Sequence, residues 1–265
     1  MKMKQSDYMA AVKVIQWVGT NSFMLAEVPK PKPGPGEVVI RVRAAGVHPI
    51  ETHRLIGADY RDGRGVFVPG LEAAGLVDAV GPEVPVFKPG NPVFTLGTLS
   101  GACAEFALCD WRQLFPLPER LPFSSGAVLG IPYAAACRAL FDIAQIEPDE
   151  ILLIHGASGG VGFAAVELAK RRGARIVGTA GSDLARRLIA RQGAAGDVIL
   201  EMRPDLNLKL DLTMLAREGR LVLIGGYDAA DLEGCRPQRA DAKIEPLRTF
   251  DTPVSEHGEA STVAL

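Results

Sequence analysis

The 265-residue sequence has no surplus of charge, no paired cysteines and no long apolar run. Lys and Arg total 29 against 31 Asp and Glu, a formal net charge of −2. That balance removes the electrostatic reason to expect nucleic acid or an anionic membrane surface as a general partner. Cys103, Cys109, Cys137 and Cys235 form no CxxC pair, and no His stands at zinc-finger spacing from them. They read as free thiols, buried or partly buried. No stretch approaches the ~18 consecutive apolar residues of a membrane helix. Met1 to Ser6 is polar, and the apolar stretch after it is broken by Lys13 and Gln16, so no secretory signal is read at the start. A reducing, cytoplasmic setting is the expectation.

Glycine and proline, by contrast, are plentiful, at 29 and 19 residues. They punctuate a first half rich in short β-like runs. Met9 to Ile15, Glu37 to Val47, Ala73 to Val80, Pro92 to Leu96 and Ala104 to Cys109 have the alternation or β-branched content of strands. The run Pro29 to Gly36, four prolines among two lysines and two glycines, is a surface connection. Short strands with turn signals suggest a small barrel or sandwich.

Near Leu121 the texture changes. Ser124 is placed to cap a helix running through the Ala-rich stretch to Phe141. From Ile151 the pattern alternates: strand Ile151 to Ile154, helix Gly160 to Arg172, strand Arg175 to Thr179, helix from Ser182 to Gly193. Strand Asp197 to Met202, helix Leu206 to Ala216 and strand Arg220 to Ile224 complete it. Lys170, Arg171 and Arg172 in the last turn of the first helix, then Gly173, predict a dipole-matched end with a left-handed cap. Alternating βα units with apolar strands imply a parallel sheet covered on both faces. The expected fold class is therefore α/β, a β-rich domain followed by a doubly wound parallel sheet. The expected boundaries are 1–123, 124–227 and a charged, proline-rich tail, 228–265, with a weak apolar patch from Ile244 to Phe250.

The strongest chemical signal is His155-Gly-Ala-Ser-Gly-Gly-Val-Gly162, between an apolar strand and an amphipathic helix. Ala157-x-Gly159-x-x-Gly162 stands in for the GxGxxG dinucleotide fingerprint, with Ala in first place. Small residues allow the tight turn, close approach of pyrophosphate to the backbone, and close helix–strand packing. Ala157, Ser158, Gly159, Gly160, Val161 and Gly162 are thus candidate cofactor contacts, with amides at the helix start facing the anion. An NAD site usually carries an acid ~20 residues further on, at the end of the second strand. Here that strand ends in Thr179-Ala-Gly181-Ser182, and Asp183 belongs to the first turn of the next helix. Arg186 and Arg187 follow in the next turn, either as a solvated face or as partners for a 2′-phosphate. The pattern favours NADPH.

Taken together, these residues resemble the zeta-crystallin-type NADPH:quinone oxidoreductases, zinc-free members of the medium-chain dehydrogenase/reductase superfamily. The shared stretches are His155 to Gly162, Gly130-Ile-Pro-Tyr133, Gly178-Thr-Ala-Gly181, Ala45-Gly-Val-x-Pro49, Pro69-Gly-x-Glu-x-Ala-Gly75 and Gly97 to Phe106, within a match from about Met9 to Gly226. The resemblance implies a GroES-like catalytic domain and a Rossmann domain, with NADPH-dependent reduction of a small quinone or enone between them. Carried over position by position, it makes His48, Glu51, Tyr60 and Tyr133 candidate catalytic residues. It adds Ala135, Thr179, Gly181, Ser182 and Gly225 to the cofactor set. The related zinc enzymes place Cys where His48 stands and Gly-His-Glu where Gly70-Leu71-Glu72 stands. One His and one Glu fall short of a three-ligand zinc site, so no metal is expected.

Several positions depart from the family pattern. His48 replaces an asparagine, Glu51 an aspartate, Ala135 a threonine that touches the carboxamide, and Cys137 an aromatic residue. After Ala194 the chain passes almost directly to Asp197, omitting one βα unit, and the closing strands of the family are not legible at the C-terminus. An edge strand would be lost there, with the inner strands kept. The competing expectation is a cofactor-binding but catalytically impaired paralogue. RNA binding, associated with the family, finds no support in the charge pattern. A homodimer is compatible with the resemblance, although the family's usual contact lies in or near the altered region.

Overall fold

The computed structural model describes residues 7–14, 23–49, 51, 67–179, 196–224 and 243–247. The chain divides into two compact units, Met1–Ile131 and Pro132–Leu265.

In the first unit, Tyr8–Val14 (β1) pairs antiparallel with Phe23–Pro29 (β2). The β-character of the second of these was not legible in the sequence. Glu37–Ala45 (β3), Ala73–Val80 (β4), Pro92–Thr95 (β5), Phe106–Asp110 (β6) and Leu114–Pro116 (β7) form a five-stranded antiparallel sheet in the order β6-β3-β4-β5-β7. Val38, Ile40, Val77, Val93, Ala107 and Cys109 form the core of this sheet. Only in β6 do buried residues, Ala107 and Cys109, alternate with more exposed ones, as successive side chains leave opposite faces of a strand; Val39 and Phe94 are buried beside Val38 and Val93.

The segment after Leu121 corrects the sequence reading. Helix α1 is only Phe123–Gly126 and is entered from Pro122, with no side chain capping it. Ser124 therefore lies inside the helix. Helix α2 runs Gly130–Cys137, and a π-helical stretch, Arg138–Ile143, follows. Pro132 sits in the first turn of α2, where its missing N–H costs nothing.

In the second unit, Ile151–Ile154 (β8), Arg175–Gly178 (β9), Gly196–Glu201 (β10), Leu215–Leu223 (β11) and Lys243–Pro246 (β12) form one parallel sheet. Its order is β9-β8-β10-β11-β12. Helices α3 (Gly160–Arg172) and α4 (Pro204–Met214) lie on opposite faces. Leu152, Ile154, Val198 and Leu200 pack with Ala164, Ala165 and Leu168 of α3, while Leu153, Ile199, Leu221 and Leu223 pack with Leu208 and Leu212 of α4. Both strand faces are buried, which is why these strands read as continuous apolar runs. Gly173 closes α3 in the left-handed conformation, its N–H reaching the carbonyls of Ala169 and Lys170.

This is the doubly wound plan, and among the described residues no strand stands between β9 and β10 in chain order. Only 17 residues separate Gly178 from Gly196, enough for one crossover, which needs at least ~10–12 residues, and too few for two. β9 is the sheet edge among the described residues. The tail beyond residue 227, read from the sequence as degenerate, supplies a strand: Lys243–Pro246 extends the sheet beside β11, and Leu247 is buried in its core.

Candidate active and cofactor sites

The turn after β8 leaves the C-terminal end of a parallel strand, where ligands of open α/β sheets bind. Gly156 has φ +66°, a left-handed conformation that glycine adopts without strain. The Ala157 N–H reaches the Thr179 carbonyl at 2.8 Å, and the Gly159 N–H the Gly156 carbonyl at 2.9 Å. α3 then starts at Gly160 with no side-chain cap on Gly159. The first amides of a helix have no intrahelical acceptor, so those of Gly160, Val161 and Gly162 are available to an anion. Gly156, Ser158, Gly159 and Gly160 are exposed among the described residues. Gly162 is buried beneath the turn, where a Cβ would stand 2.3 Å from the Gly156 oxygen and 2.7 Å from the Ala157 Cα. Thr179, at the end of β9, accepts from the Gly156 N–H through its hydroxyl at 3.2 Å.

Tyr133 and Ala135 lie on α2. The Tyr133 hydroxyl donates to the Glu167 carboxylate on α3. Burial, with that acidic partner, pushes the phenol up to about 12, so it holds its proton at neutral pH. Ala135 is 3% exposed among Ala164, Ala165 and Leu168 and offers almost no surface to a ligand. Tyr60, Gly181, Ser182, Arg186, Arg187 and Gly225 lie outside the described residues.

In the first unit, His48 and Glu51 come together with a residue the sequence reading passed over as part of a motif. Glu72 is fully buried at the N-terminal edge of β4. His48 Nε2 lies 2.7 Å from Glu72 Oε1, an ion-pair contact that lacks the alignment of a hydrogen bond, while Glu72 Oε2 accepts from the Ile131 N–H at 2.7 Å. Burial raises the Glu72 carboxyl against the opposing pull of His48. Burial also works against charge on His48, but Glu72 and Glu51 outweigh it and lift the imidazole above its ordinary value. The result favours the protonated form of a partly exposed ring. The signal for Glu72 was available: an acid placed before the apolar run Ala73-Ala74 can only be buried with a partner.

Glu51 is occupied by the backbone. One oxygen accepts from the His48 N–H at 2.9 Å and the other from the Gly70 N–H at 2.8 Å. It pins the His48 loop to the Gly70 turn. Glu51, Gly70, Thr98 and Ser100 line part of a 340 Å³ cavity in this unit. Glu51→Ala leaves two backbone donors without their acceptor and should cost about 1–3 kcal/mol. Chemical denaturation checks this: Glu51→Gln, which keeps one acceptor, should fall between Glu51→Ala and the parent.

Residues 34–119 match the alcohol dehydrogenase GroES-like domain. The mouse (Mus musculus) quinone oxidoreductase is 39% identical, over 82% of this chain and 73% of its own length. The human (Homo sapiens) quinone oxidoreductase is 37% identical, over 94% of this chain and 82% of its own. Among solved structures, a Pseudomonas syringae quinone oxidoreductase superposes with TM-score 0.83 at 23% identity, over 97% of this chain and 87% of its own. The CurK enoyl reductase reaches the same TM-score at 24% identity, over 96% and 86%. At those identities the structural matches establish the fold, and the sequence relatives establish the family. An exposed glycine turn on a parallel sheet, joined in one chain to a GroES-like unit, is the architecture of an enzyme that uses a nicotinamide cofactor. The chain is an oxidoreductase and belongs to the quinone oxidoreductase family, in the zinc-free branch of the medium-chain dehydrogenase/reductase superfamily.

Proposed function

We propose that this enzyme is an NADPH-dependent reductase of quinones or related enones that works by hydride transfer without a metal. The observation that carries the reading is the uncapped, exposed start of α3 at the end of β8. Bound NADPH supplies the hydride; the protein binds, orients and exchanges protons. The amides of Gly160 to Gly162 hold the pyrophosphate. Thr179 ends β9 where NAD-binding chains carry an acid, so no carboxylate opposes a 2′-phosphate at that position. Arg186 and Arg187 supply positive charge to it. In the GroES-like unit, His48 hands a proton to the reduced acceptor and is recharged from solvent, with Glu72 favouring the cationic ring. Leu71, where zinc enzymes keep a histidine, and the direct His48–Glu72 contact both favour the metal-free route. A homodimer and a cytoplasmic setting accompany this reading as expectations.

Two observations favour a second reading, a cofactor-binding but impaired paralogue. Ala135 is buried, and the Tyr133 hydroxyl is committed to Glu167. NADPH consumption with a simple quinone separates the two. Turnover that saturates in both substrates and is faster with NADPH than with NADH is the expected result. Binding without turnover supports the impaired paralogue, and turnover with NADH alone overturns the cofactor assignment.

A further inference from the structure

A second buried titratable cluster lies directly under the glycine turn, in the second unit. Strand alternation points His155 to the α4 face beyond Leu153, and Glu201 to the same face beyond Ile199. On α4, Asp211 takes its place on the buried stripe between Leu208 and Leu212. The two strands, β8 and β10, flank the point where the strand order reverses. Asp211 and Glu201 have no exposed surface, and His155 has 8%. Ligand atoms of the three lie within 4.8 Å of one another.

The bonding is incomplete in an informative way. His155 Nε2 is 2.9 Å from Asp211 Oδ1 and 3.8 Å from Glu201 Oε2. Glu201 Oε1 is filled by the Arg203 N–H and by Asn207 Nδ2 at 3.3 Å. That leaves Glu201 Oε2 and Asp211 Oδ2, two buried carboxyl oxygens without a partner. Two carboxylates buried side by side with unpaired oxygens repel each other, and one proton shared between Glu201 and Asp211 relieves that cost. On the other side of the ring, His155 Nδ1 is 3.2 Å from Thr179 Oγ1, which also accepts from the Gly156 N–H at 3.2 Å. The chain of contacts thus runs from the carboxyl pair through the imidazole and Thr179 to the first glycine of the turn.

We propose that Glu201 and Asp211 share one proton and, through His155 and Thr179, form a positioning network that fixes the glycine turn. His155, Glu201 and Asp211 are its titratable groups; Arg203 turns its guanidinium away to Asp205, at 2.8 and 2.9 Å. Burial, then Asp211, pushes Glu201 up to about 7, and the two acids lift His155 despite its burial. A carboxyl raised in the folded state contributes stability that is complete below its ordinary value near 4.5 and lost as pH rises through about 7. The turn therefore loosens across neutrality.

Amide hydrogen exchange tests this on the protein without added dinucleotide. Its relevance to cofactor binding rests on the proposed function, but the readout does not, so failure of either is seen separately. Asp211→Ala removes the acceptor of His155 and should raise exchange at the bonded amides of His155, Gly156, Ala157 and Gly159 by at least ~10-fold, leaving peptides from β3 and β4 unchanged. Glu201→Gln carries a permanent donor in place of the shared proton. It should keep the parent's protection below pH 7 and abolish the parent's loss of protection above it, once intrinsic exchange rates are divided out. If Glu201→Gln loosens the turn as Asp211→Ala does, or shows the parent's pH dependence, the shared proton is overturned. Uniform loss of protection throughout both units in Asp211→Ala would reduce the cluster to a general structural role. Stoichiometric zinc that the parent holds and Glu201→Gln loses would put a cation, not a proton, between the carboxyls.

Discussion

Gly162→Ala should abolish dinucleotide binding, raising the NADPH Kd at least ~100-fold, or about 3 kcal/mol. Replacing glycine by alanine inside a helix ordinarily stabilises by roughly 0.5–1 kcal/mol. Here the new Cβ would meet the Gly156 carbonyl at 2.3 Å and the Ala157 Cα at 2.7 Å. Both are backbone, and neither can rotate aside. The turn must open or α3 must withdraw from β8, and either movement misplaces the amides of Gly160 and Val161. Overpacking costs of about 1–3 kcal/mol exceed the helical gain, so the melting midpoint should fall as well. Gly159→Ala makes the contrast. Gly159 has φ −80°, and its added Cβ meets nothing closer than the Gly156 oxygen at 3.3 Å. That variant should fold like the parent and still bind more weakly, because a methyl group then stands where pyrophosphate approaches the backbone. A thermal melt and a calorimetric titration of both variants separate damage to folding from damage to the ligand surface.

The second large effect is expected in the GroES-like unit. Glu72→Ala removes a fully buried carboxylate that His48 and the Ile131 N–H both face. Breaking a buried pair by deleting one member costs about 3–5 kcal/mol, because the remaining groups stay buried without compensation. For a unit of this size the melting midpoint should drop by on the order of 10 °C. Glu72→Gln keeps an acceptor for Ile131 and should cost much less, while His48 loses its anionic partner and titrates lower. The pH dependence has a definite sign. Because the folded state raises both His48 and Glu72, the pair contributes most at acid pH and is lost as pH rises through the two raised values. The parent should therefore lose more stability than Glu72→Gln between weakly acid and weakly alkaline pH, and a set of denaturant melts across that range measures it.

β8, β10 and the second half of β11 were legible because both of their faces are buried, so each holds a short apolar run closed by glycine or charge. The glycine turn was legible because its context, strand before and helix after, accompanies its spacing. β2 was not, since it buries only Val28 and so carries no alternation. The helix expected from Ser124 was read as one continuous element because Ala-rich composition conceals the breaks that Gly126 and Gly130 introduce. β12 was missed for a different reason: four residues at a sheet edge are recognisable only once β11 stands beside them. Among site residues, His48 and Glu51 were named; Gly70 and Glu72 entered only as a motif, with Glu72 beside His48 as a pair too small to hold zinc, and not as their bonding partners, which lie roughly 20 residues further along the chain. The cluster of His155, Glu201 and Asp211 needed three elements to be superposed. Its signal was an acid on the apolar stripe of α4 and another at the end of an apolar strand, each forbidden at such a place without a partner.

The most direct test of the central claim is a calorimetric titration of NADPH into the parent protein, repeated with its 2′-phospho-ADP-ribose fragment and with Gly162→Ala. One saturable site, competed by the fragment and absent in Gly162→Ala, is the predicted result, because the grip is on the diphosphate and comes from the amides that start α3. NADPH binding that survives Gly162→Ala undiminished, or a parent protein that takes up neither ligand, would contradict it.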